Sequence, residues 1–187
     1  MTEGTRHRAS TEGGGCRRWL ILGPSGSGKS TLSRELGARL GLPVVHLDLH
    51  YWSGEWVPTP REEWRAAVVS LSSGEDWIMD GNYGGTIADR LPRADVVVLL
   101  DLNPLLCLFR VISRRFRAAD RPDIPEDCDD RFRLSDATFF WWLLSYRWRS
   151  RPRVLANIRA HPTLPCLHLR SRKDVERFMK DPTYICR

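Results

Sequence analysis

The sequence has no apolar run long enough to cross a bilayer. Its longest, Ala137 to Leu144, is broken by Thr138 and falls far short of the roughly 20 residues that a spanning helix needs. Cysteine is sparse and scattered. Cys16, Cys107, Cys128, Cys166 and Cys186 form no Cys-x-x-Cys pair and have no histidine at metal-ligand spacing, which argues against a zinc site and against a paired disulfide framework. A reducing, cytoplasmic compartment fits that usage. The first residues carry Glu3, Arg6, His7 and Arg8 and the run Gly13-Gly14-Gly15 where a secretory signal needs an apolar core, so 1–16 reads as a flexible tail. Internal repeats are missing. So is the Asn-Lys-x-Asp guanine signature of GTP switches.

What is present suits one domain. A chain of 187 residues with 42% hydrophobic content closes one sizeable core, expected over 17–180, with 181–187 as a second tail. The net charge of +6 favours anionic partners without choosing among them. Short apolar runs alternate with helical patterns, the mark of strand-helix-strand units and a mostly parallel sheet. Strands are expected at Arg18 to Leu22, Val44 to Asp48, Trp77 to Asp80, Val96 to Asp101 and Cys166 to Arg170. Between the first two, Leu32, Leu36 and Leu40 give Lys29 to Leu40 one apolar face, and Gly41 supplies the stop. A second helix opens at Thr59-Pro60-Arg61-Glu62, where Thr59 can cap and Glu62 can complete a capping box, with Trp64, Ala67, Val68 and Leu71 as its buried stripe. Asn103-Pro104 opens a third, and Ser171 with Asp174 opens the last.

The sharpest chemical signal is Gly23-Pro24-Ser25-Gly26-Ser27-Gly28-Lys29-Ser30, which follows an apolar run and opens an amphipathic helix, the context a phosphate loop requires. Its glycines let backbone N–H groups turn inward around phosphate oxygens, and the helix start adds partial positive charge. Lys29 reaches the β- and γ-phosphates, the Ser30 hydroxyl can ligate Mg²⁺, and Thr31 follows on the same helix. These residues point to ATP and Mg²⁺ as cofactors. Asp80, at the end of a strand beside the loop, is a suitable acid for the outer shell of the metal. Because Ile78-Met79-Asp80-Gly81-Asn82-Tyr83 does not close in Asp-Glu, a motor ATPase is disfavoured. Asp101 is accounted for by the helix start that follows it.

On the acceptor side, Asp48 closes the second strand on the edge where doubly wound sheets bind ligands, so its carboxylate can accept a hydroxyl proton. Tyr51, Trp52 and Trp56 either wall an acceptor pocket or belong to the core, and His46 and His50 read as structural. After Pro104, the positions Arg110, Arg114, Arg117 and Arg121 fall on one helical stripe, with Leu105, Leu108, Phe109, Ile112 and Phe116 opposite as the packing face. Arg114 and Arg121 are the preferred catalytic pair. The stretch 118–133, too polar to bury, is a candidate lid over the arginine stripe. A second basic stretch, Tyr146 to Arg153, has the composition of a nucleic-acid surface, although the apolar residues before it favour a core helix.

Together these motifs resemble small bacterial P-loop kinases of the adenylate-kinase-like superfamily, often labelled DNA topology modulation proteins. The resemblance spans roughly Trp19 to Phe178. It rests on the phosphate loop, His46-Leu47-Asp48 followed by Trp52, Gly54-x-Trp56-Val57-x-Thr59-Pro60-x-Glu62-x-Trp64, Asp80-Gly81-Asn82-Tyr83-x-Gly85-Thr86 and Leu169-Arg170-Ser171-Arg172. It implies a P-loop NTPase fold of the α/β class, with a five-stranded parallel sheet of order 2-3-1-4-5 flanked by helices. It also implies an acceptor-binding segment at 48–74 and a lid at 118–133. Asp48, Trp52, Asn82 and Tyr83 would then meet the acceptor, and Arg90 would stand in for a displaced arginine of nucleoside monophosphate kinases. Arg172 would flank adenine. The activity implied is transfer of the γ-phosphoryl group of ATP to a small molecule or nucleotide. The competing reading from the basic residues is a nucleotide-dependent DNA-binding regulator. No membrane partner is expected, and the oligomeric state is left open.

Overall fold

The structure, a computed structural model, describes residues 15–116, 123–125, 128 and 136–186. Strand β1 (Arg18–Leu22) runs into helix α1 (Lys29–Leu40). Strand β2 (Val44–His46) is followed by the single turn α2 (Asp48–Tyr51), the short strands β3 (Trp52–Ser53) and β4 (Val57–Pro58), and helix α3 (Arg61–Ser72). After β5 (Trp77–Asp80) come the turn α4 (Ile87–Arg90), strand β6 (Val96–Leu100) and helix α5 (Pro104–Phe116). Helices α6 (Asp136–Arg149) and α7 (Arg151–Arg159), strand β7 (Cys166–Leu169) and helix α8 (Arg172–Lys180) follow.

The main sheet has the order β2-β5-β1-β6-β7, and every neighbouring pair is parallel. A parallel sheet needs both faces covered, and the residues of β1 divide in that way. Leu20 and Leu22 pack with Met79, Val97 and Leu99 under α3 and α7, while Trp19 and Ile21 pack with Ile78, Val96 and Val98 under α1 and α8. Each fully buried Leu or Ile on either face contributes roughly 1.5–3 kcal/mol relative to an exposed one. A third, smaller cluster joins α5 to α6 through Leu102, Cys107, Val111 and Leu143. Among the described residues no helix is long and apolar enough to cross a membrane.

The helix ends follow local chemistry, with one exception. Gly41 ends α1 at φ 66°, its N–H bonded to the Gly37 carbonyl. Asn103 Oδ1 accepts from the Leu105 N–H at 2.9 Å at the start of α5, and Ser171 with Asp174 forms the expected capping box on α8. Thr59 does not cap α3. Its hydroxyl donates to the Tyr51 carbonyl at 2.7 Å, closing the β3-β4 excursion on α2.

Other expectations are corrected as well. Cys16 and Cys186 form a disulfide across 170 residues of sequence, a pairing that linear spacing could not reveal because the segment leading into the central strand β1 and a C-terminal turn bring the two together. The expected C-terminal tail is instead a 3-10 turn over Pro182–Cys186 with Pro182 buried. On α5 Cys107 and Val111 are the buried packing residues and Leu108 packs beside them as expected, whereas Leu105 and Phe109, placed on the same packing face by the sequence, are 65% and 66% exposed. Asp101 is held by an ion pair with Arg151 at 2.8 Å and by His168 Nε2 at 2.7 Å, so tertiary partners and not the following helix account for it. In the Tyr146 to Arg153 stretch Tyr146 is core, but Trp148 is 75% exposed.

Candidate active site

Between the ends of β1 and β6 and the start of α1 lies a cleft of about 570 Å³. Residues 25–31, Asp48, Arg110, Arg114, Asp123 and Arg172 line it. The loop at its floor exists because its glycines accept a backbone that other residues resist: φ is 147° at Gly23, 76° at Gly26 and 96° at Gly28. At Gly26 the constraint is doubled, since a Cβ there would lie 2.3 Å from the Cys107 carbonyl oxygen. The loop is fastened at both ends. Gly23 N–H donates to Asn82 Oδ1 at 2.9 Å, and Lys29 Nζ donates to the Pro24 carbonyl at 3.0 Å. The Ser27 hydroxyl is buried with no hydrogen-bond partner among the described residues.

Lys29 stands between charges of both signs. Burial pulls its ammonium below the ordinary lysine value, the carboxylates of Asp80 and Asp48 counter that pull, and Arg114 adds to it. Asp80 is buried at the end of β5, where the β2-β5 register sets it opposite His46. His46 Nδ1 donates to Asp80 Oδ2 at 2.8 Å. Burial alone would lower the His46 pKa, but the hydrogen bond and the charge of Asp80 outweigh it, and the net shift is upward. His46 is therefore structural, as its position in the sequence suggested, and its partner is the acid beside the phosphate loop.

Asp48 opens α2 and reaches the cleft wall. The Tyr83 hydroxyl donates to its Oδ1. Burial first, and then the Asp48 charge, push the Tyr83 pKa well above the ordinary phenol value, so the phenol stays protonated. The Tyr83 ring packs against Tyr51 and Trp64, each at a centroid distance of 4.7 Å, and Tyr51 and Tyr83 both join the core under α3. Trp52 lies against Tyr51 and Trp56 at 4.7 and 5.5 Å. For Tyr51 and Tyr83 the core reading prevails, whereas Trp52 and Trp56 are half-buried beside them and join no core cluster.

Arg90 requires a correction. It is completely buried, and its guanidinium is bonded to the carbonyls of Gly81 at 2.9 Å, Asn82 at 2.7 Å, Tyr83 at 3.4 Å and Thr86 at 3.3 Å. With those donors engaged inside the fold it shapes the 81–86 turn and does not meet an acceptor. Burial pulls its pKa below the ordinary arginine value, to about 9. Asn82 likewise serves the phosphate loop. Arg114 and Arg172 line the cleft, Arg172 paired with Glu176 at 2.7 Å on an exposed rim. Arg117, Arg121 and most of the candidate lid lie outside the described residues; of 118–133 only 123–125 and 128 are described, with Asp123 on the cleft. Asp123 was not singled out from the sequence because an acid inside a polar stretch gives no signal of its own.

No family model matches the sequence, and no curated protein matches it either. Solved structures similar to it in fold include two shikimate kinases. A shikimate kinase from Acinetobacter baumannii in complex with shikimate is 17% identical, with a TM-score of 0.55 over 88% of this chain and 91% of that one. A shikimate kinase from Bacteroides thetaiotaomicron is 18% identical, with a TM-score of 0.52 over 88% and 97%. The likeness, together with the five-stranded parallel sheet and the glycine-rich turn ahead of α1, establishes that the chain has the α/β P-loop kinase fold.

Proposed function

We propose that the protein is an ATP- and Mg²⁺-dependent phosphotransferase that moves the γ-phosphoryl group to a hydroxyl or phosphate of a small molecule or nucleotide. The observation that carries this reading is that a glycine cradle, Lys29, Arg114 and Asp48 line one cleft. The residues fit such a cofactor. Positive-φ glycines and an orphaned Ser27 hydroxyl suit a polyphosphate. Ser30 would contribute a hydroxyl ligand to Mg²⁺, with Asp80 in its outer shell. Among the described residues no cluster of three His, Cys, Asp or Glu side chains could hold a metal alone, so the phosphates would complete its shell.

Each remaining residue has a defined task. Asp48 takes the acceptor's hydroxyl proton as that oxygen bonds to the γ-phosphorus, and the bond to the β,γ-bridging oxygen breaks to leave ADP. Lys29 and Arg114 stabilise the charge on the transferring group. Arg172 lies on the rim, where it would flank the base. Residues 118–133 as a lid, Arg121 as the second catalytic arginine, Trp52 on the acceptor side and membership of the DNA topology modulation subgroup belong to this reading on sequence grounds. The structural neighbours, both named as kinases and one holding shikimate, favour the class and leave the acceptor open.

Two measurements test the proposal. Titration calorimetry with ATP and Mg²⁺ should show binding that Lys29→Ala abolishes. A coupled assay of ADP release over nucleosides, nucleotides, hydroxy acids and amino sugars should rise with one acceptor class, and Lys29→Ala should lower that rate about a hundredfold or more. Flat rates across the panel with intact binding would overturn the transferase assignment. One observation favours a second reading, a nucleotide-dependent DNA-binding protein: Trp148 stands 75% exposed between the exposed Arg147 and Arg149. Retention on DNA that weakens steeply with salt would support it.

A further inference from the structure

Arg90, Tyr83 and Asp48 form a chain from the core to the cleft. Tyr83 has a φ of 32°, a left-handed backbone that a non-glycine residue adopts only when its surroundings insist. Here they do. Arg90 clamps the Gly81, Asn82, Tyr83 and Thr86 carbonyls from beneath, and the Thr86 N–H and hydroxyl both donate to the Tyr83 carbonyl, at 2.9 and 3.0 Å. At Gly81, with φ 129°, a Cβ would stand 2.9 Å from Leu47 and 3.1 Å from the Tyr83 ring, so only glycine lets the turn close this tightly. Tyr51 and Trp64 then fix the plane of the Tyr83 ring. The product of this constraint is a phenol hydrogen aimed at one oxygen of Asp48.

We propose that Tyr83 is a positioning residue for Asp48: a backbone held left-handed by the buried Arg90 presents the phenol to the carboxylate and fixes its orientation on the cleft wall. The inference rests on the reading of Asp48 as the acceptor-side base. A phenol donating to the ionised carboxylate also favours that form, so the proton acceptor is kept ready. The same turn holds the phosphate loop through Asn82 and Gly23 N–H. One element thus sets the spacing between the phosphoryl donor and the group that deprotonates its acceptor, and misplacement on the ångström scale costs about a hundredfold in rate.

The experiment uses the full chain labelled with ¹³C at the aspartate carboxyls. The Asp48 resonance is assigned by its loss in Asp48→Asn and titrated in the parent and in Tyr83→Phe, which keeps the packed ring. Among the described residues, the groups around Asp48 that titrate or carry charge include Tyr83 from the turn, Tyr51 and His50 on its own helix, Lys29 on α1 with Asp80 beside it at the end of β5, Arg110 and Arg114 on α5, and Asp123 and Arg172 on the same cleft. Of these only Tyr83 is altered. The Asp48 titration should move to higher pH in Tyr83→Phe, with the variant still unfolding in a single cooperative transition and losing stability only above the pH at which Asp48 ionises. An unmoved titration overturns the inference, since a tyrosine that only fills the core would leave it in place. In the ADP-release assay with whichever acceptor class responds, Tyr83→Phe should lower kcat about tenfold to a hundredfold and move the acid limb of the pH profile upward. An unchanged kcat and profile in Tyr83→Phe, with Asp48→Asn inactive, sinks the positioning role alone. A fully active Asp48→Asn sinks the assignment of Asp48 as base while leaving the titration result standing.

Discussion

Arg90 shows how much one side chain does in a small kinase-like fold. Among the described residues it is the only arginine with a fully buried side chain, and it is ringed by carbonyl oxygens. A planar guanidinium satisfies several carbonyls at once, and an ammonium on a flexible stem cannot reproduce that fork. Arg90→Met should therefore leave the 81–86 turn with unpaired buried acceptors and lower unfolding stability by about 2 kcal/mol or more. Arg90→Lys should fail nearly as badly. Urea titration of both variants checks this, and a lysine variant as stable as the parent would mean that charge alone, and not the fork, is what the turn requires.

At the scale of elements, the phosphate loop is tuned by what lies beneath it. Gly26 and Gly28 both have positive φ, but a Cβ at Gly28 meets nothing within 4 Å, whereas at Gly26 it would collide with the Cys107 backbone on α5. Gly28→Ala should cost only the left-handed backbone penalty, about 1–2 kcal/mol. Gly26→Ala should add the displacement of the loop from α5 and destabilise the ligand-free protein further. Thermal melting without nucleotide separates the two, and equal losses would show that the loop and α5 are not in rigid contact. The strand β6 is braced in a similar way. Just before it, Asp95 pairs with Arg18 at 2.7 Å, and just after it Asp101 pairs with Arg151 and His168, so both ends of a wholly buried strand are tied by charge.

At the scale of the whole molecule, the Cys16–Cys186 disulfide closes nearly the entire chain into one loop, joining the segment that leads into β1 to the turn that follows α8. Cross-linking across so long a loop restricts the unfolded chain strongly, and Cys16→Ser should lower stability by about 2–4 kcal/mol. Alkylation under denaturing conditions, read by mass spectrometry, should label only Cys107, Cys128 and Cys166 unless reductant is added. Labelling of all the cysteines without reductant would refute the link. Both partners pack against the cluster around Trp19 and Phe178, so the bond reinforces a contact that the core already makes.

The primary sequence by itself determined the strands of the main sheet, the phosphate loop and the caps of α1, α5 and α8. These depend on local order: alternation of apolar runs, glycine at positions needing positive φ, and short polar side chains at helix starts. Lys29, Asp48 and Arg172 open helices that follow β1, β2 and β7, and such positions converge on one edge of a parallel sheet, where the cleft lies; Arg114 reaches the same cleft from the last turn of α5. Only the tertiary structure decided what depends on which surfaces meet. It turned Arg90 inward onto carbonyls and gave Asp101 two partners on distant elements. It left Leu105 and Phe109 of α5 exposed and brought Cys16 to Cys186. Pairings of that kind join residues tens to well over a hundred positions apart, and linear order carries no trace of them until the sheet has formed and set its edges side by side.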